Sequence, residues 1–231
     1  MIALVEQPFD CIHCGKSFMK EKTLIAHMCE NKRRFLQRDE KRVQTGFYAY
    51  TKFYQTTQNS KKQKTYEDFC KSAYYNAFVK FGSYINNINP LYPEKYIDYV
   101  IKSGVKLDHW CRDELYETYL YDIIKKEPVE SAVQRTIQNM MTWADVSQAE
   151  FNHYFLYVNL NRAVHDIKDG RISPWVVLNC SSGKEMLNKF TDEQLDIIAP
   201  ALDVGYWLKK FKSLPADVML VKEICKEAGI L

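Results

Sequence analysis

The sequence lacks any apolar run close to the ~20 consecutive apolar residues that a membrane-spanning helix needs. Its longest apolar stretches, such as that around Trp175 to Leu178, are much shorter. The first residues, Met1 to Glu6, also lack the charged start and long apolar stretch of a secretion signal. These absences argue against a membrane protein, and we expect a soluble, cytoplasmic protein with no membrane partner.

Glycine and proline are scarce, with 8 Gly and 7 Pro in 231 residues, so few positions interrupt a helix. Apolar residues recur with a helical period rather than with the alternation of a strand, which predicts an all-α fold. Beyond residue 31, only the stretch from Ser173 to Leu178 is predicted as a strand or an extended connection. Helices are predicted over residues 20–28, 32–58, 65–88, 93–103, 108–126, 128–144, 148–168, 182–190, 191–199, 202–211 and 215–229.

The seven cysteines are an odd number and are unevenly distributed. Cys11, Cys14 and Cys29 lie close together near the N-terminus, whereas the other four are isolated. A disulfide framework is typical of a short secreted chain. The pattern instead predicts a reduced compartment, one metal site and four buried thiols that act as small apolar groups. The isolated cysteines are Cys70, Cys111, Cys180 and Cys225.

The N-terminal cysteines have the spacing of metal ligands. Two residues separate Cys11 from Cys14, which allows both thiolates to point from one tight turn onto one ion. Twelve residues then separate Cys14 from His27, enough for a returning strand and a short helix. Leu24 and His27 are three apart on one helical face. Leu24 can therefore pack against Phe18 while His27 reaches the ion.

Residues 11–29 resemble a zinc finger of the two-Cys-two-His family. The resemblance includes the paired cysteines, the sequence Gly-Lys-Ser-Phe, the core Phe and Leu, and the first histidine, and it covers under a tenth of the chain. It implies a structural zinc ion as cofactor, held in a small finger in front of a mostly helical domain.

The chain departs from this family at the fourth ligand. The family places a second His or a Cys three to five residues beyond the first His, where this chain has neither. Cys29 is only two positions after His27, and such residues point about 200° apart on a continuous helix. We expect Cys29 to be the fourth ligand, which requires the helix to end or tighten at His27 or Met28. His13 and Glu30 are the alternatives.

Positive charge is concentrated in the N-terminal part of the chain. Residues 1–64 contain 13 Lys and Arg against 6 Asp and Glu, a net charge of +7, whereas residues 65–231 carry −4. Attraction to a polyanion is therefore expected at the N-terminal end; the alternative is a solvated helix face. The residues predicted to bind nucleic acid are Lys16, Lys20, Lys22, Lys32, Arg33, Arg34, Arg38, Lys41 and Arg42.

The resemblance to the zinc-finger family implies little reading of base sequence. The family's base-reading positions correspond here to Lys20, Thr23 and Ala26, and the last two side chains offer few contacts to base edges. A single finger of the family spans about three base pairs. We therefore expect contact with the nucleic-acid backbone, on DNA, with RNA as the alternative.

The sequence shows no recognised catalytic pattern, and we expect no enzyme. His109, His153 and His165 are scattered, and the segment Ser181 to Lys184 lacks the upstream glycine of a phosphate-binding loop. We divide the chain into a zinc finger (1–31), a basic helix with a linker (32–64) and a helical domain (65–231).

In its density of Tyr, Asn and Lys, the remainder of the chain resembles accessory proteins of large tailed bacteriophages. This resemblance implies a phage-infected host cell and a role in DNA replication, recombination or transcription. The leading hypothesis is a nucleic-acid-binding accessory protein whose helical body engages a protein partner. The alternative is a protein-interaction or assembly factor in which the finger is purely structural.

Overall fold

The structure is a computed structural model that describes residues 8–58 and 63–230. It is 72% helical, with fifteen α-helices, two 3-10 turns and one two-stranded ribbon in the described part, so the predicted all-α class is confirmed. None of the described helices is long and apolar enough to cross a membrane. The chain divides into two compact units, Met1–Arg112 (unit 1) and Asp113–Leu231 (unit 2). The sequence-based boundaries at residues 31 and 64 both fall inside unit 1.

Unit 1 begins with a short antiparallel ribbon and continues as helices. The ribbon pairs β1 (Phe9–Asp10) with β2 (Ser17–Phe18), so that Phe9 lies opposite Phe18. The helices are α1 (Glu21–Ala26), α2 (Glu30–Leu36), α3 (Lys41–Gln58), α4 (Tyr66–Lys71), α5 (Tyr75–Ile88) and α6 (Pro93–Lys102), followed by a 3-10 turn at Leu107–His109.

The single helix predicted over residues 32–58 is wrong, because α2 and α3 are separated by a turn. The backbone N–H of Arg38 donates to the carbonyl of Phe35, and that of Glu40 donates to the carbonyl of Gln37. These short-range bonds replace the helical ladder between the two helices. No glycine or proline marks the turn, so the basic and aromatic pattern runs through it without a visible break.

Helices α3 and α5 pack at close range because glycines lie at their contact. A Cβ atom added to Gly82 would lie 2.1 Å from the carbonyl oxygen of Arg42, and one added to Gly46 would lie 2.6 Å from that of Phe78. Glycine therefore permits the backbones to approach. Buried aromatic rings fill the space beside this contact: Tyr50, Phe69, Phe78, Phe81 and Trp110.

Unit 2 is built from helices around a core that contains Trp143, Trp175 and Trp207. The ring centroids of Trp175 and Trp207 are 5.8 Å apart. A 3-10 turn at Phe151–His153 directly precedes the four-residue helix at Tyr154–Tyr157. The helices are α7 (Asp113–Lys126), α8 (Val129–Ser147), α9 (Tyr154–Tyr157), α10 (Leu160–Lys168), α11 (Pro174–Val177), α12 (Ser181–Leu187), α13 (Asp192–Leu202), α14 (Val204–Ser213) and α15 (Pro215–Glu227).

Two predictions in unit 2 are wrong because local caps decide the structure. The segment predicted as a strand forms α11: the Ser173 side chain accepts from the backbone N–H of Trp175, and Pro174 occupies the start of the helix. The helix predicted over 148–168 is divided. Gln148 has a left-handed backbone (φ 52°) after α8, and the Asn159 side chain caps α10.

Candidate metal centre

Cys11 and Cys14 lie on the turn that joins β1 to β2. The backbone N–H of Cys11 donates to the carbonyl of Lys16 at 2.9 Å, and that of Gly15 donates to the carbonyl of Cys11 at 2.7 Å. Gly15 has a φ of +71°, a conformation that favours glycine. The turn therefore closes tightly and brings the two cysteines close together.

His27 and Cys29 come from the link between α1 and α2. The helix α1 ends at Ala26, earlier than the predicted end at residue 28, and His27 is extended (φ −70°, ψ 120°). Alternate side chains of an extended chain point to the same side. His27 and Cys29 are half-buried, whereas Met28 between them is 58% exposed. The end of the helix that a Cys29 ligand requires is therefore present.

The four side chains form one compact cluster. The Sγ atoms of Cys11 and Cys29 are 4.0 Å apart, and the Sγ of Cys14 is 3.3 Å from the Nε2 of His27. All four donor atoms lie within 4.8 Å of one another. Cys11 is buried and Cys14 is exposed. This arrangement could hold a metal ion.

The charges of the paired cysteines depend on each other. Desolvation raises the pKa of Cys11, but hydrogen bonds with the backbone at His13 and Cys14 and with the side chains of Cys14 and Cys29 together lower this pKa overall. At Cys14 a backbone hydrogen bond from Lys16 lowers the pKa, whereas desolvation and the neighbouring thiols raise it overall. One thiolate thus hinders formation of the next, and a cation among them would remove this obstacle.

The two alternative fourth ligands are engaged elsewhere. The His13 ring packs against Phe35 with centroids 5.0 Å apart, and its carbonyl accepts from the Nδ2 of Asn31 at 3.0 Å. Glu30 pairs with Arg33 and Arg34, and the hydrogen bond from Arg33 holds the pKa of Glu30 below its ordinary value. The described cluster includes neither His13 nor Glu30.

Phe18, one of the two residues of the predicted small apolar core, packs against the histidine. The Phe18 ring contacts the His27 ring, with centroids 4.8 Å apart, and both Phe18 and Leu24 are half-buried. The end of α1 is held from α2 by Lys32, whose Nζ donates to the carbonyls of His27 at 3.1 Å and Ile25 at 3.4 Å. This structural role of Lys32 was not predicted from the sequence, which indicated only a nucleic-acid contact.

The residues predicted to bind nucleic acid fall into two groups. Lys32 and Arg34 are half-buried and contact other parts of unit 1. The remaining seven are exposed on the ribbon turn, on α1 and at its N-cap, on α2, on the α2–α3 turn and at the start of α3. These exposed residues are Lys16, Lys20, Lys22, Arg33, Arg38, Lys41 and Arg42, and we call them the basic set.

Arg34 fastens α2 to the region between α4 and α5. Its side chain is only 13% exposed, and its Nη1 donates to the carbonyls of Cys70 at 2.8 Å and Ser72 at 3.3 Å. The guanidinium also lies 4.5 Å from the centre of the Tyr75 ring. In return the Tyr66 hydroxyl donates to the carbonyl of Arg34 at 2.8 Å. The cluster of Cys11, Cys14, His27 and Cys29 is thereby attached to the helices of unit 1.

In comparisons with known proteins, no family model, curated protein or solved structure matches this chain. The geometry of the cluster and the charges around it are therefore the observations that bear on function.

Proposed function

We propose that Cys11, Cys14, His27 and Cys29 hold one structural zinc ion. Tetrahedral coordination with Zn–S of about 2.3 Å and Zn–N of about 2.0–2.1 Å separates two sulfurs by about 3.8 Å and a sulfur and a nitrogen by about 3.6 Å. The distances of 4.0 Å between Cys11 and Cys29 and 3.3 Å between Cys14 and His27 are close to these values. Four protein ligands leave no open position for substrate, which is typical of a structural site.

We propose that the chain is a nucleic-acid-binding accessory protein that contacts the DNA backbone through the zinc-bound segment and the helices after it. The observation that carries this proposal is that the basic set is exposed in the same unit as the cluster of four candidate ligands. The net charge of +7 in residues 1–64 supports attraction to a polyanion. The zinc-finger resemblance assigns base-contacting positions to Thr23 and Ala26, whose side chains offer few contacts to base edges. This favours contact with nucleic acid without sequence preference.

The acidic neighbours of the basic set are weak competitors for these cations. Arg33 pairs with Glu30 at 2.6 Å, and in both residues the side chain is about half exposed or more. Arg42 pairs similarly with Glu40 at 2.7 Å. Exposed pairs of this kind contribute only about 0–1 kcal/mol. Exchanging such a carboxylate for a phosphate therefore costs little.

Salt dependence of binding tests this function. We expect the full chain to bind duplex DNA of unrelated sequences with similar affinity. A rise from about 50 to 200 mM salt should reduce the affinity about 1,000-fold if six phosphates are contacted. A variant with Arg33→Gln, Arg38→Gln and Arg42→Gln should bind more weakly, and its slope of log K against log salt should be smaller by about 2 to 3.

The matched control removes the same charge from unit 2, through Lys189→Gln, Lys209→Gln and Lys212→Gln at three exposed lysines. We expect this variant to keep the parent's affinity and slope. Equal losses in the two variants would show a general effect of charge and contradict an interface at the basic set. Absence of binding at low salt to single- and double-stranded DNA and RNA would contradict nucleic-acid binding altogether.

The second candidate function is a protein-interaction or assembly factor with a purely structural finger. The hydrogen bonds of Arg34 and Lys32 favour it, because they attach the cluster of four candidate ligands to the helices of unit 1. A protein that needs zinc for its stability but binds no nucleic acid would support this alternative. The protein partner, the process served and the setting of a phage-infected cell remain predictions from sequence.

A further inference from the structure

A pocket of about 490 Å³ lies in unit 1, away from the four clustered ligands. It is bounded by the C-terminal part of α3, the start of α5 and the 3-10 turn at Leu107–His109. Its walls are largely aromatic, from Phe53, Tyr54, Tyr74 and Phe78, and we call it the aromatic pocket. Sites for small organic groups have volumes of roughly 300–1,000 Å³, so this pocket can accept one.

The floor of the aromatic pocket is formed by the core of unit 1. Phe78 is 1% exposed, and its ring centroid is 5.9 Å from that of Phe53. Both rings contact Trp110, each with centroids 5.8 Å apart. Trp110 is itself buried, and its Nε1 donates to the carbonyl of Val105 at 2.9 Å. The contacts among these rings therefore hold the floor in place before a ligand binds, so that binding does not have to pay the entropy of ordering these side chains.

Tyr74 forms an exposed wall of the pocket. The residue is 58% exposed, which is unusual for a large aromatic residue that could join the neighbouring aromatic core. Its backbone N–H donates to the Oγ of Ser72 at 3.1 Å, at the position just before α5 begins. The Tyr74 ring is therefore accessible to a ligand, while this hydrogen bond restrains its backbone.

Cations and hydrogen-bonding groups surround the rings. The Nζ of Lys64 lies 5.0 Å from the centre of the Tyr54 ring, and the exposed Lys106 lines the pocket together with Gln58 and Asp108. A ligand that suits this combination has a flat aromatic part, a polar edge and an attached anion. A nucleotide has all three, because its base can stack on rings while its phosphate meets lysine.

We propose that the aromatic pocket receives an unpaired base of a single-stranded nucleic acid. The base stacks against Tyr74, its polar edge meets Gln58 or Asp108, and the adjacent phosphate lies near Lys106. A base in a duplex is stacked and paired, so the pocket would select single strands. The inference rests on the proposed nucleic-acid binding and adds to it a preference for one strand state.

The test compares three strands on the full chain: a single-stranded DNA, the duplex of the same sequence, and a single strand of equal length that carries abasic sites in place of bases. We expect the ordinary single strand to bind most tightly. Tyr74→Ala should weaken that binding about 5- to 150-fold and leave the duplex and the abasic strand unaffected. Tyr74→Phe, which keeps the ring, should bind as the parent does.

The control variant is Tyr157→Ala, at a tyrosine of unit 2 that is 70% exposed; it should bind all three strands as the parent does. Equal affinity of Tyr74→Ala and the parent for the single strand would overturn the pocket proposal, as would an equal loss on all three strands. If salt-dependent duplex binding persists in that case, the proposed function stands. Absence of binding to every strand would overturn both.

Discussion

His27 and Cys29 are separated by a single residue, yet their side chains join the same cluster of four ligands. The chain is extended at His27, and Cys29 is the N-cap of α2, where its sulfur accepts from the backbone N–H of Lys32 at 3.4 Å. An ion bound here would therefore join the end of α1 to the start of α2. Since Arg34 attaches α2 to α4 and α5, the ion would also stabilise the N-terminal part of unit 1.

This geometry predicts that Cys29 is the fourth ligand. Cys29→Ala should lower zinc affinity by more than the roughly 10- to 100-fold that loss of a residue supporting a ligand costs. His13→Ala is the matched comparison and should change it little, because the His13 ring packs on Phe35. Competition with a chelating dye measures both affinities. The reverse order would show that the ion is held within the turn between the strands.

Arg34 and Arg33 are adjacent in sequence but should differ in their effect on stability. Arg34→Gln removes a charged donor from the carbonyls of Cys70 and Ser72, which should cost about 1–3 kcal/mol. Arg33→Gln, at a side chain that is 60% exposed, should change stability by less than about 0.5 kcal/mol. Hydrogen–deuterium exchange of the α2 and α4 amides measures this local effect. Equal protection in the two variants would contradict the attachment of α2 through Arg34.

The close contact of α3 and α5 predicts that Gly82 cannot be enlarged. In Gly82→Ala the new Cβ would meet the carbonyl oxygen of Arg42, and the forced separation of the helices should cost about 1–3 kcal/mol or more. Gly205→Ala in α14 is the control, because its nearest neighbouring atom would be 3.9 Å away. That change should be neutral or stabilise by up to about 1 kcal/mol. Thermal unfolding distinguishes them, and a Gly82→Ala protein as stable as the parent would contradict this packing.

The features that could be predicted from the sequence are those whose determinants lie close together along the chain. The spacing of Cys11, Cys14 and His27 follows from a tight turn and a short helix. The angle between successive helical residues indicated that the helix must end near His27 if Cys29 is to be a ligand. The sequence did not distinguish the structural role of Arg34 from the exposed position of Arg33, because the carbonyl groups that accept from Arg34 lie more than 30 residues away along the chain. The turn between α2 and α3 was not predicted for a different reason: it contains no glycine or proline that would mark a break in the helix.

The most direct test of the account is the metal content of the purified full chain. Elemental analysis after handling under reducing conditions, without chelators, should give close to one zinc ion per chain. Cys14→Ser should bind zinc more weakly, because a hydroxyl replaces a thiolate ligand. One zinc per parent chain, with a loss in this variant, is the predicted result. A zinc content near zero in folded parent protein would contradict the proposal that these four residues form a structural zinc site.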